Sequence, residues 1–395
     1  MTVRIEKSKA NGIVSAPPSK SVCHRALICA ALAGGGRVSN VSFSNDIKAT
    51  LGGLNALGSS YHIDGNTVLF SDFSPKDNVK INCMESGSTL RLLIPVAAAL
   101  CKNVEFYGSE YLFSRPLTVY EQIFNDFSVD YEKKETSFTI KSKLVGGIFK
   151  IPGNISSQFV SGLSIALPLF EKTSEIVLTT RLESAPYVDL TLDTMSEFSV
   201  ITDRENGRIF YRNGMYTGRD YTVEGDYSNA VALEAFNIVG GNVTVTGLNP
   251  ESRQGDKIYK QYLKMICDGN AVLDITDCPD LAPVLMAAAA LSNGADFVGT
   301  KRLKLKESDR GSVMHAELEK FGANVEISEN EITVSKASYS PKVPLSSHND
   351  HRIVMALVLL SSVYGGEIEN AEAINKSFPD YFTKIKSLGI KAEIV

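Results

Sequence analysis

Positively charged side chains stand at the beginning of several segments whose composition is that of buried helices. Lys20, Arg25, Arg91 and Arg352 each lie at or just inside such a beginning. A cation there opposes the helix macrodipole by about 0.3–1 kcal/mol, and a bound anion would remove the conflict, because the free N–H groups of a helix start bind phosphate and carboxylate. These positions therefore predict a small polyanionic ligand.

Short polar residues also precede these segments, and helix capping is the alternative explanation for them. Ser, Thr, Asp and Asn are the preferred capping residues, so each polar start is explained by capping alone. Capping does not explain the cations. The polar starts are residues 19–21, 86–89, 156–158, 226–228, 277–280 and 348–352.

The elements that must position these residues form a repeat. Each apolar segment leads into a strand rich in Val and Ile, and an amphipathic helix and a further strand follow, the amphipathic helices being clearest over residues 256–266 and 312–321. In these segments apolar residues occupy every face of the expected helix, which indicates burial on every side. They cover residues 25–33, 91–100, 158–170, 228–239, 279–291 and 352–364, and the strands after them contain Val38, Val104, Ile176, Val243, Phe297 and Ile368, at intervals of 66, 72, 67, 54 and 71 residues.

Six such repeats fill the 395 residues, a length that exceeds the roughly 250–300 residues at which one core stops growing. We therefore expect two domains of three repeats each. Residues 18–224 are predicted to form the N-terminal domain, and residues 1–17 with 225–395 the C-terminal domain. This assignment takes residues 3–14 as one strand that returns to the C-terminal half, with two chain crossings acting as a hinge and the active site in the cleft between the domains.

Composition excludes other classes of protein. The 40 Lys and Arg against 45 Asp and Glu give a charge of −5, contrary to a nucleic-acid-binding protein. The longest uncharged apolar stretches, residues 281–291 and 353–364, are shorter than the roughly 20 residues that span a bilayer. Charges occupy residues 1–7, where a signal peptide would be apolar, so a cytoplasmic location is expected. A monomer without nucleic-acid or membrane partners is predicted.

The cysteines and histidines do not favour a metal site. No Cys-x-x-Cys and no His-x-x-x-His pattern occurs. We therefore interpret the cysteines as small buried hydrophobic residues in preference to zinc ligands or disulfides. They are Cys23, Cys29, Cys83, Cys101, Cys267 and Cys278.

Six motifs follow one another along the chain at the helix starts described above: Ser19-Lys20-Ser21-Val-Cys-His-Arg25, Ser86-Gly87-Ser88-Thr89-Leu-Arg91, Ser156-Ser157-Gln158, Lys306-Glu307-Ser-Asp309-Arg310, Asn349-Asp350-His351-Arg352 and Lys376-Ser-Phe-Pro-Asp380-Tyr-Phe. Together they resemble the 5-enolpyruvylshikimate-3-phosphate synthase family. The resemblance implies an α/β fold, a two-domain inside-out α/β barrel of six βαβαββ repeats, three per domain, with helices buried and sheets outside. It implies transfer of the enolpyruvyl group of phosphoenolpyruvate to the 5-hydroxyl of shikimate 3-phosphate, with release of phosphate and without metal or organic cofactor.

The resemblance implies three catalytic residues, Lys20, Asp280 and Glu307. Asp280 is the candidate base at the 5-hydroxyl, Glu307 the candidate proton donor and acceptor at the methylene carbon, and Lys20 a third candidate for proton transfer. Which carboxylate carries each proton stays open. Taken alone, Asp280 is also explained as a helix N-cap, and Glu307 as one half of a surface ion pair.

Two phosphates and two carboxylates on the substrates require fixed cations around them. By resemblance, phosphoenolpyruvate contacts Lys20, Gly87, Arg115, Gln158, Arg310, Arg352 and Lys376. Shikimate 3-phosphate contacts Lys20, Ser21, Arg25, Ser156, Ser157, Gln158, Ser184, Tyr187, Asp280, Arg302 and Lys306. Two positions depart from the family pattern: Glu85 stands where many members have Asn, and Arg302 where some relatives have Asn.

Three other functions compete with this interpretation. The UDP-N-acetylglucosamine enolpyruvyl transferases share the fold and the donor substrate phosphoenolpyruvate. That family has Lys-Asn at the first motif and a cysteine in a flexible glycine-rich loop near the Arg-Pro segment. Here the start is Lys20-Ser21, and residues 108–116 contain no cysteine. A non-catalytic sensor predicts loss of Asp280 or Glu307, and both are present. An RNA-end-processing enzyme predicts a basic surface, contrary to the net charge.

Overall fold

A computed structural model describes residues 1–269 and 271–395 of the chain. It divides into two compact units. The inserted unit is Lys20–Glu224, and the terminal unit is Met1–Ser19 together with Gly225–Val395. The predicted first boundary lies two residues earlier, after residue 17.

The chain begins in the terminal unit with two short strands, β1 (Val3–Ile5) and β2 (Asn11–Ser15). The prediction of one strand over residues 3–14 is therefore wrong. Between the two strands the Ser8 hydroxyl donates to the Glu6 carbonyl at 2.8 Å. A local side-chain bond of this kind competes with strand pairing and turns the chain.

The inserted unit contains three repeats. The first consists of α1 (Lys20–Leu32), β3 (Gly36–Ser39), α2 (Asn45–Ala56), β4 (Ser59–Asp64) and β5 (Thr67–Phe73). The second consists of β6 (Val79–Asn82), α3 (Gly87–Leu100), β7 (Val104–Tyr107), α4 (Glu110–Ser114), α5 (Thr118–Asp126), β8 (Tyr131–Lys133) and β9 (Ser137–Ile140). The third consists of β10 (Ile148–Ile151), α6 (Ser157–Ala166), a 3-10 helix (Leu167–Leu169), β11 (Glu175–Leu178), α7 (Ala185–Glu197), β12 (Ile201–Glu205) and β13 (Arg208–Asn213), followed by β14 (Asp220–Thr222).

Each repeat of the inserted unit builds a four-stranded sheet of the same design. The strand orders are β14-β3-β5-β4, β6-β7-β9-β8 and β10-β11-β13-β12. In every sheet the first two strands are parallel and the rest antiparallel, as in the pairing of Tyr221 in β14 with Val38 in β3. The last strand of the unit thus supplies the missing first strand of its first repeat.

The terminal unit resumes with α8 (Tyr227–Glu234), a 3-10 helix (Ala235–Val239), β15 (Asn242–Thr246), a 3-10 helix (Gly255–Ile258) and α9 (Tyr259–Asp268). Next come β16 (Ala271–Asp274), α10 (Ala282–Leu291), β17 (Ala295–Val298), a 3-10 helix (Thr300–Leu305), α11 (Arg310–Glu319), β18 (Val325–Ile327) and β19 (Glu331–Val334). The last repeat is β20 (Leu345–Ser346), α12 (His351–Tyr364), β21 (Gly366–Glu369), a 3-10 helix (Ala371–Lys376), α13 (Tyr381–Ser387) and β22 (Ala392–Ile394).

The N-terminal strands complete two sheets of the terminal unit. Strand β1 lies between β21 and β22, antiparallel to both, in the order β20-β21-β1-β22. Strand β2 pairs in parallel with β15. The remaining sheet has the order β16-β17-β19-β18.

The fourth repeat of the chain is shorter than the others. Its sheet is the two-stranded pair β15-β2. Helix α9 ends at Asp268 and β16 begins at Ala271, which leaves no length for a closing hairpin. The missing hairpin explains why the interval from Val243 to Phe297, 54 residues, is the shortest of the five.

The first helix of each repeat is buried along most of its length. Residues 282–290 of α10 and 351–362 of α12 are buried without exception, whereas strands such as β16 alternate between buried and exposed residues. Each unit has its own apolar core. The prediction of six repeats with helices inside and sheets outside is confirmed. In the described part of the chain, no helix combines the length and apolar character needed to cross a membrane.

The cysteines are all free, and five of the six are buried. Cys267 is exposed, so the prediction of burial is wrong for this residue. It lies on amphipathic helix α9, where Tyr259, Tyr262, Leu263 and Ile266 are buried and Cys267 is on the exposed face. Among the residues that the structure describes, no group of three or more His, Cys, Asp or Glu side chains is arranged to hold a metal ion.

Candidate active site

The starts of two buried helices, α3 and α6, meet in the inserted unit. Ser86 caps α3 by accepting from Thr89 N at 3.1 Å, and Ser156 precedes α6 and accepts from Gln158 N at 3.3 Å. Arg91 Nη1 donates to Gln158 Oε1, and Gln158 Nε2 donates to Ser88 Oγ, both at 3.0 Å. The starts of α3 and α6 therefore lie side by side.

Lys20 is the first residue of α1, and an acidic partner fixes its side chain. Its Nζ lies 2.8 Å from Asp46 Oδ2, and the two side chains are only 13% and 10% exposed. Asp46 lies in the first turn of α2, where the macrodipole favours a negative charge. Sequence analysis missed Asp46, because Ser44-Asn-Asp is an ordinary capped start and the pair spans 26 residues.

Arg25 lies one turn into α1 and is buried among neutral oxygen atoms. Its Nε donates to Thr191 Oγ1 at 2.7 Å, and its terminal nitrogens donate to the Ser21 and Tyr187 carbonyls and to Ser161 Oγ. Burial lowers the pKa of the guanidinium to about 10, so Arg25 is still charged near neutral pH. A charged group with neutral partners favours a nearby anion.

Gly87 occupies the first position of α3, beside two guanidinium groups. A Cβ at this residue would lie 2.5 Å from Arg115 Nη1 and 3.0 Å from Arg91 Nη1. Arg115 is 9% exposed, and its buried Nε has no hydrogen-bond partner among the described residues. A side chain at this position would displace the Arg115 guanidinium, and an unsatisfied buried donor suits an anionic ligand.

Three further predicted residues border the same cluster. Ser157 is the buried first residue of α6. Ser184 is buried and precedes α7 with a left-handed backbone, φ 54°, which is uncommon for a residue with a side chain. Its carbonyl accepts from Tyr187 N at 3.1 Å, and the Tyr187 carbonyl in turn accepts from Arg25. Glu85, the departure noted above, is half-buried and directly precedes the cap Ser86.

In the terminal unit one arginine binds three carboxylates. Arg310 is the first residue of α11, and its side chain is 1% exposed. Its Nη1 donates to Asp280 Oδ1 at 2.8 Å, its Nη2 to Glu307 Oε2 at 2.7 Å, and its Nε to Asp350 Oδ2 at 2.9 Å. The carboxylates outweigh the effect of burial and raise the pKa of Arg310 well above its ordinary value.

Asp280 lies within reach of three cations. Lys306 Nζ is 3.1 Å from Asp280 Oδ1, and Arg352 Nη2 is 3.7 Å from Oδ2, in addition to the bond from Arg310. Burial disfavours the ionised carboxyl, but the three cations outweigh it and hold the pKa of Asp280 well below its usual range. Burial also lowers the pKa of Lys306, and Asp280 opposes that shift.

The other predicted cations of the terminal unit are bound to carbonyl oxygens nearby. Arg352, in the first turn of α12, donates from Nη1 to the Ser228 carbonyl and to Asn229 Oδ1, which joins the starts of α12 and α8. Lys376 Nζ donates to the Asn349 carbonyl at 2.6 Å. Arg302 Nη2 donates to the Thr276 carbonyl at 2.6 Å, in the segment that leads to Asp280.

The predicted site residues thus form two clusters, one in each unit. The inserted cluster contains Lys20, Ser21, Arg25, Gly87, Arg115, Ser156, Ser157, Gln158, Ser184 and Tyr187. The terminal cluster contains Asp280, Arg302, Lys306, Glu307, Arg310, Arg352 and Lys376. In both, cations and helix starts surround a small number of carboxylates, an arrangement that can hold phosphate and carboxylate groups and transfer protons.

A family model described as EPSP synthase (3-phosphoshikimate 1-carboxyvinyltransferase) matches residues 5–385. The chain belongs to the EPSP synthase family. It is 40% identical to the 3-phosphoshikimate 1-carboxyvinyltransferase of Clostridium kluyveri over 98% of this chain and 97% of that protein. The corresponding identity is 38% for the protein of that name from Clostridium acetobutylicum, at the same coverage of both chains. The family predicted from the motifs is confirmed.

Solved structures of the EPSP synthase family share the fold. An EPSP synthase from Acinetobacter baumannii superposes with a TM-score of 0.77 at 21% identity, covering 99% of both chains. A second structure from that organism gives 0.78 at 20% identity over the full length of both. At this identity the likeness supports the fold alone, and it agrees with the predicted two-domain α/β architecture.

Proposed function

We propose that the chain is a 3-phosphoshikimate 1-carboxyvinyltransferase. It transfers the enolpyruvyl group of phosphoenolpyruvate to the 5-hydroxyl of shikimate 3-phosphate, and releases phosphate. The family, whose description names this activity, supports the proposal. The observation that carries it in the chain itself is that Asp280 and Glu307 are bound to two nitrogens of one buried guanidinium, that of Arg310.

The reaction requires two proton movements at neighbouring atoms. In the addition step, the 5-hydroxyl loses its proton as its oxygen attacks C2 of phosphoenolpyruvate, and the methylene carbon C3 gains a proton. In the elimination step, the new methyl group loses a proton and the C2–O bond to phosphate breaks. One acid and one base beside the same substrate serve both steps, and we assign these roles to the Asp280 and Glu307 pair.

Asp280 is suited to accept the hydroxyl proton. Because its pKa lies well below the usual range, it is ionised near neutral pH and available as a base. The same cations that lower the pKa of Asp280 are proposed substrate contacts, namely Lys306, Arg310 and Arg352. When substrate anions bind them, their effect on Asp280 weakens, so its pKa rises and it becomes a stronger base.

Glu307 is proposed as the proton donor and acceptor at the methylene carbon. Its side chain is 23% exposed, and Arg310 holds one of its oxygens at 2.7 Å. One carboxylate oxygen is thus fixed by the guanidinium, which orients the other. Lys20, paired with Asp46, is the third group that can transfer a proton or neutralise phosphate.

The remaining residues bind the anionic groups. For phosphoenolpyruvate we propose contacts with Lys20, Gly87, Arg115, Gln158, Arg310, Arg352 and Lys376. For shikimate 3-phosphate we propose Lys20, Ser21, Arg25, Ser156, Ser157, Gln158, Ser184, Tyr187, Asp280, Arg302 and Lys306. We propose the cytoplasm as the location, because both substrates are highly charged and do not cross an apolar bilayer unaided.

The assay that tests this function measures inorganic phosphate. The chain is mixed with phosphoenolpyruvate and shikimate 3-phosphate, and in a parallel reaction with phosphoenolpyruvate and UDP-N-acetylglucosamine. Phosphate release in the first mixture alone supports the proposal. Phosphate release with the nucleotide sugar contradicts the proposal, and so does the absence of phosphate release with both acceptors. Asp280→Ala and Glu307→Ala should each lower kcat far more than they change substrate binding, and a variant with near-normal kcat would refute that role.

A further inference from the structure

A buried carboxylate outside both clusters, Glu317, lies near the end of helix α11. Its side chain is 1% exposed, and the proposed chemistry gives it no role. Its oxygens accept from Lys320 Nζ at 2.8 and 3.0 Å, from His348 Nε2 at 3.0 Å and from Ser346 N at 3.2 Å. Two of these donors belong to the loop before α12, so Glu317 ties that loop to α11.

The loop itself has an unfavourable backbone. His348 and Asn349 are consecutive residues with positive φ, 48° and 57°, although neither is glycine. Such a conformation persists only where surrounding bonds hold it in place. Ser347 supplies some of them, since its hydroxyl donates to the Asn370 carbonyl at 2.8 Å and accepts from Asn349 N at 3.2 Å. Glu317 holds the opposite side through His348.

The next groups along the loop belong to the terminal cluster. The Asn349 carbonyl accepts from Lys376 Nζ at 2.6 Å. Asp350 accepts from Arg310 Nε at 2.9 Å, and its amide donates to the Ser347 carbonyl at 2.9 Å. A displacement of the loop would therefore move the partners of both Lys376 and Arg310.

We propose that Glu317 is a positioning residue for the transfer reaction. Its carboxylate fixes the strained turn at His348 and Asn349, and through that turn it places Lys376 and Arg310, two proposed contacts of phosphoenolpyruvate. This inference rests on the proposed function for its kinetic consequence. It predicts a larger effect on the donor substrate than on shikimate 3-phosphate, whose proposed contacts include neither cation and reach Arg310 only through Asp280.

The test compares Glu317→Gln with Glu319→Gln in the full chain. Glu319 is the matched control, because it lies on the same helix and accepts from a histidine, His315 Nε2 at 3.0 Å, but its side chain is 61% exposed. The glutamine at 317 keeps one acceptor and loses the charge shared by Lys320 and His348. We expect the KM for phosphoenolpyruvate to rise about tenfold in Glu317→Gln, with the KM for shikimate 3-phosphate within twofold of the unsubstituted chain, and no change in Glu319→Gln.

A second readout does not depend on turnover. Hydrogen exchange at the amides of residues 346–350 should be about tenfold faster in Glu317→Gln, while exchange in the sheet β16-β17-β19-β18 stays unchanged. If Glu317→Gln does not fold, His348→Ala removes one bond and leaves the Lys320 pair, and a smaller rise of the same KM, about threefold, is expected.

The outcomes separate the two proposals. If the unsubstituted chain releases no phosphate from phosphoenolpyruvate and shikimate 3-phosphate, the proposed function fails. If it does release phosphate, but the variants leave the donor KM and the loop exchange unchanged, only the positioning role of Glu317 fails. Equal changes in both KM values, or a loss of kcat that matches the unfolded fraction, also contradict positioning and indicate a purely structural residue.

Discussion

Arg310 donates from Nε to Asp350 Oδ2 at 2.9 Å, and the two side chains are 1% and 0% exposed. Asp350 also caps α12, since its Oδ1 accepts from Arg352 N at 2.8 Å. One carboxylate therefore orients the guanidinium that binds Asp280 and Glu307, and it also fixes the helix start that carries Arg352. This buried pair therefore fixes the positions of the other charged groups in the terminal cluster.

Asp350→Asn should destabilise the chain strongly. The substitution removes the fully buried carboxylate among the three that Arg310 binds. Leaving a buried charge without any partner costs about 3–5 kcal/mol, and because Asp280 and Glu307 remain, we expect a loss at the lower end of this range. Urea unfolding followed by circular dichroism measures the loss, as a lower midpoint at constant slope. The cap itself is retained, because Asn caps helices about as well as Asp.

Asp309→Asn is the control for this prediction. Asp309 caps α11 through Ser312 N at 3.3 Å, but it is exposed. We expect Asp309→Asn to change the free energy of unfolding of the chain by less than about 0.5 kcal/mol. Equally small effects of the two substitutions would show that the negative charge of Asp350 contributes little to stability, and would contradict the role given to the buried charge pair.

The buried helices and the cations at their starts could be predicted from the sequence, because a helix that is buried on all sides and a helix cap each have a recognisable local sequence pattern. Lys20, Arg91 and Arg352 were found in this way. The buried carboxylates were harder to find. Asp46 and Glu317 are one carboxylate each in ordinary amphipathic helices, and their importance comes from burial against residues 26 and 31 positions away. Such pairings depend on the packing of separate elements, which no local pattern records.

The shortened fourth repeat is a second feature whose cause could not be predicted from the sequence. The interval of 54 residues between Val243 and Phe297 was visible in the sequence. The absence of a closing hairpin from this repeat became clear only from the structure, in which β15 and β2 form a two-stranded sheet. Likewise, residues 3–15 form two strands and not one, because each pairs with a different strand far along the chain.

Gly87→Ala should weaken binding of phosphoenolpyruvate. The new methyl group would lie 2.5 Å from Arg115 Nη1, so that guanidinium must move. We expect the KM for phosphoenolpyruvate to rise about tenfold, equivalent to about 1.4 kcal/mol, with little change in the KM for shikimate 3-phosphate. Steady-state kinetics with each substrate varied in turn measures both.

Gly52→Ala is the matched control for the glycine substitution. Gly52 is an exposed residue of α2, and a Cβ there would have no neighbour within 4 Å. Both KM values should stay unchanged, and stability should rise by roughly 0.5–1 kcal/mol, because Ala is favoured over Gly in a helix. An unchanged donor KM in Gly87→Ala would contradict the proposed role of Arg115.

The low pKa of Asp280 predicts how stability depends on pH. Because the pKa is lower in the folded chain than the value of about 3.9 expected when unfolded, ionised Asp280 stabilises the fold above about pH 4. That contribution is lost as the pH falls from about 4 through the folded pKa. The difference in unfolding free energy between the unsubstituted chain and Asp280→Asn should therefore be constant from pH 7 to about 5, and shrink below pH 4.

Urea unfolding of both proteins at several pH values checks this expectation. Other carboxylates titrate in the same range, but they are common to both proteins and cancel in the difference. A difference that grows as the pH is lowered would mean that Asp280 is protonated more easily in the folded chain, and would contradict its assignment as an ionised base.

Asp46→Asn should impair the reaction through Lys20. The ion pair at 2.8 Å becomes a hydrogen bond from the charged Lys20 to a neutral amide oxygen, and Lys20 Nζ is held less firmly at the start of α1. Hydrogen bonds to charged groups contribute about 1.5–3 kcal/mol, so a fall in kcat/KM of about tenfold or more is expected. Asp64→Asn, at an exposed residue of β4, serves as the control and should leave kcat/KM unchanged. If Asp46→Asn retains full kcat/KM while Lys20→Ala loses it, Lys20 acts without help from Asp46, and its position must be set by the backbone of α1 alone.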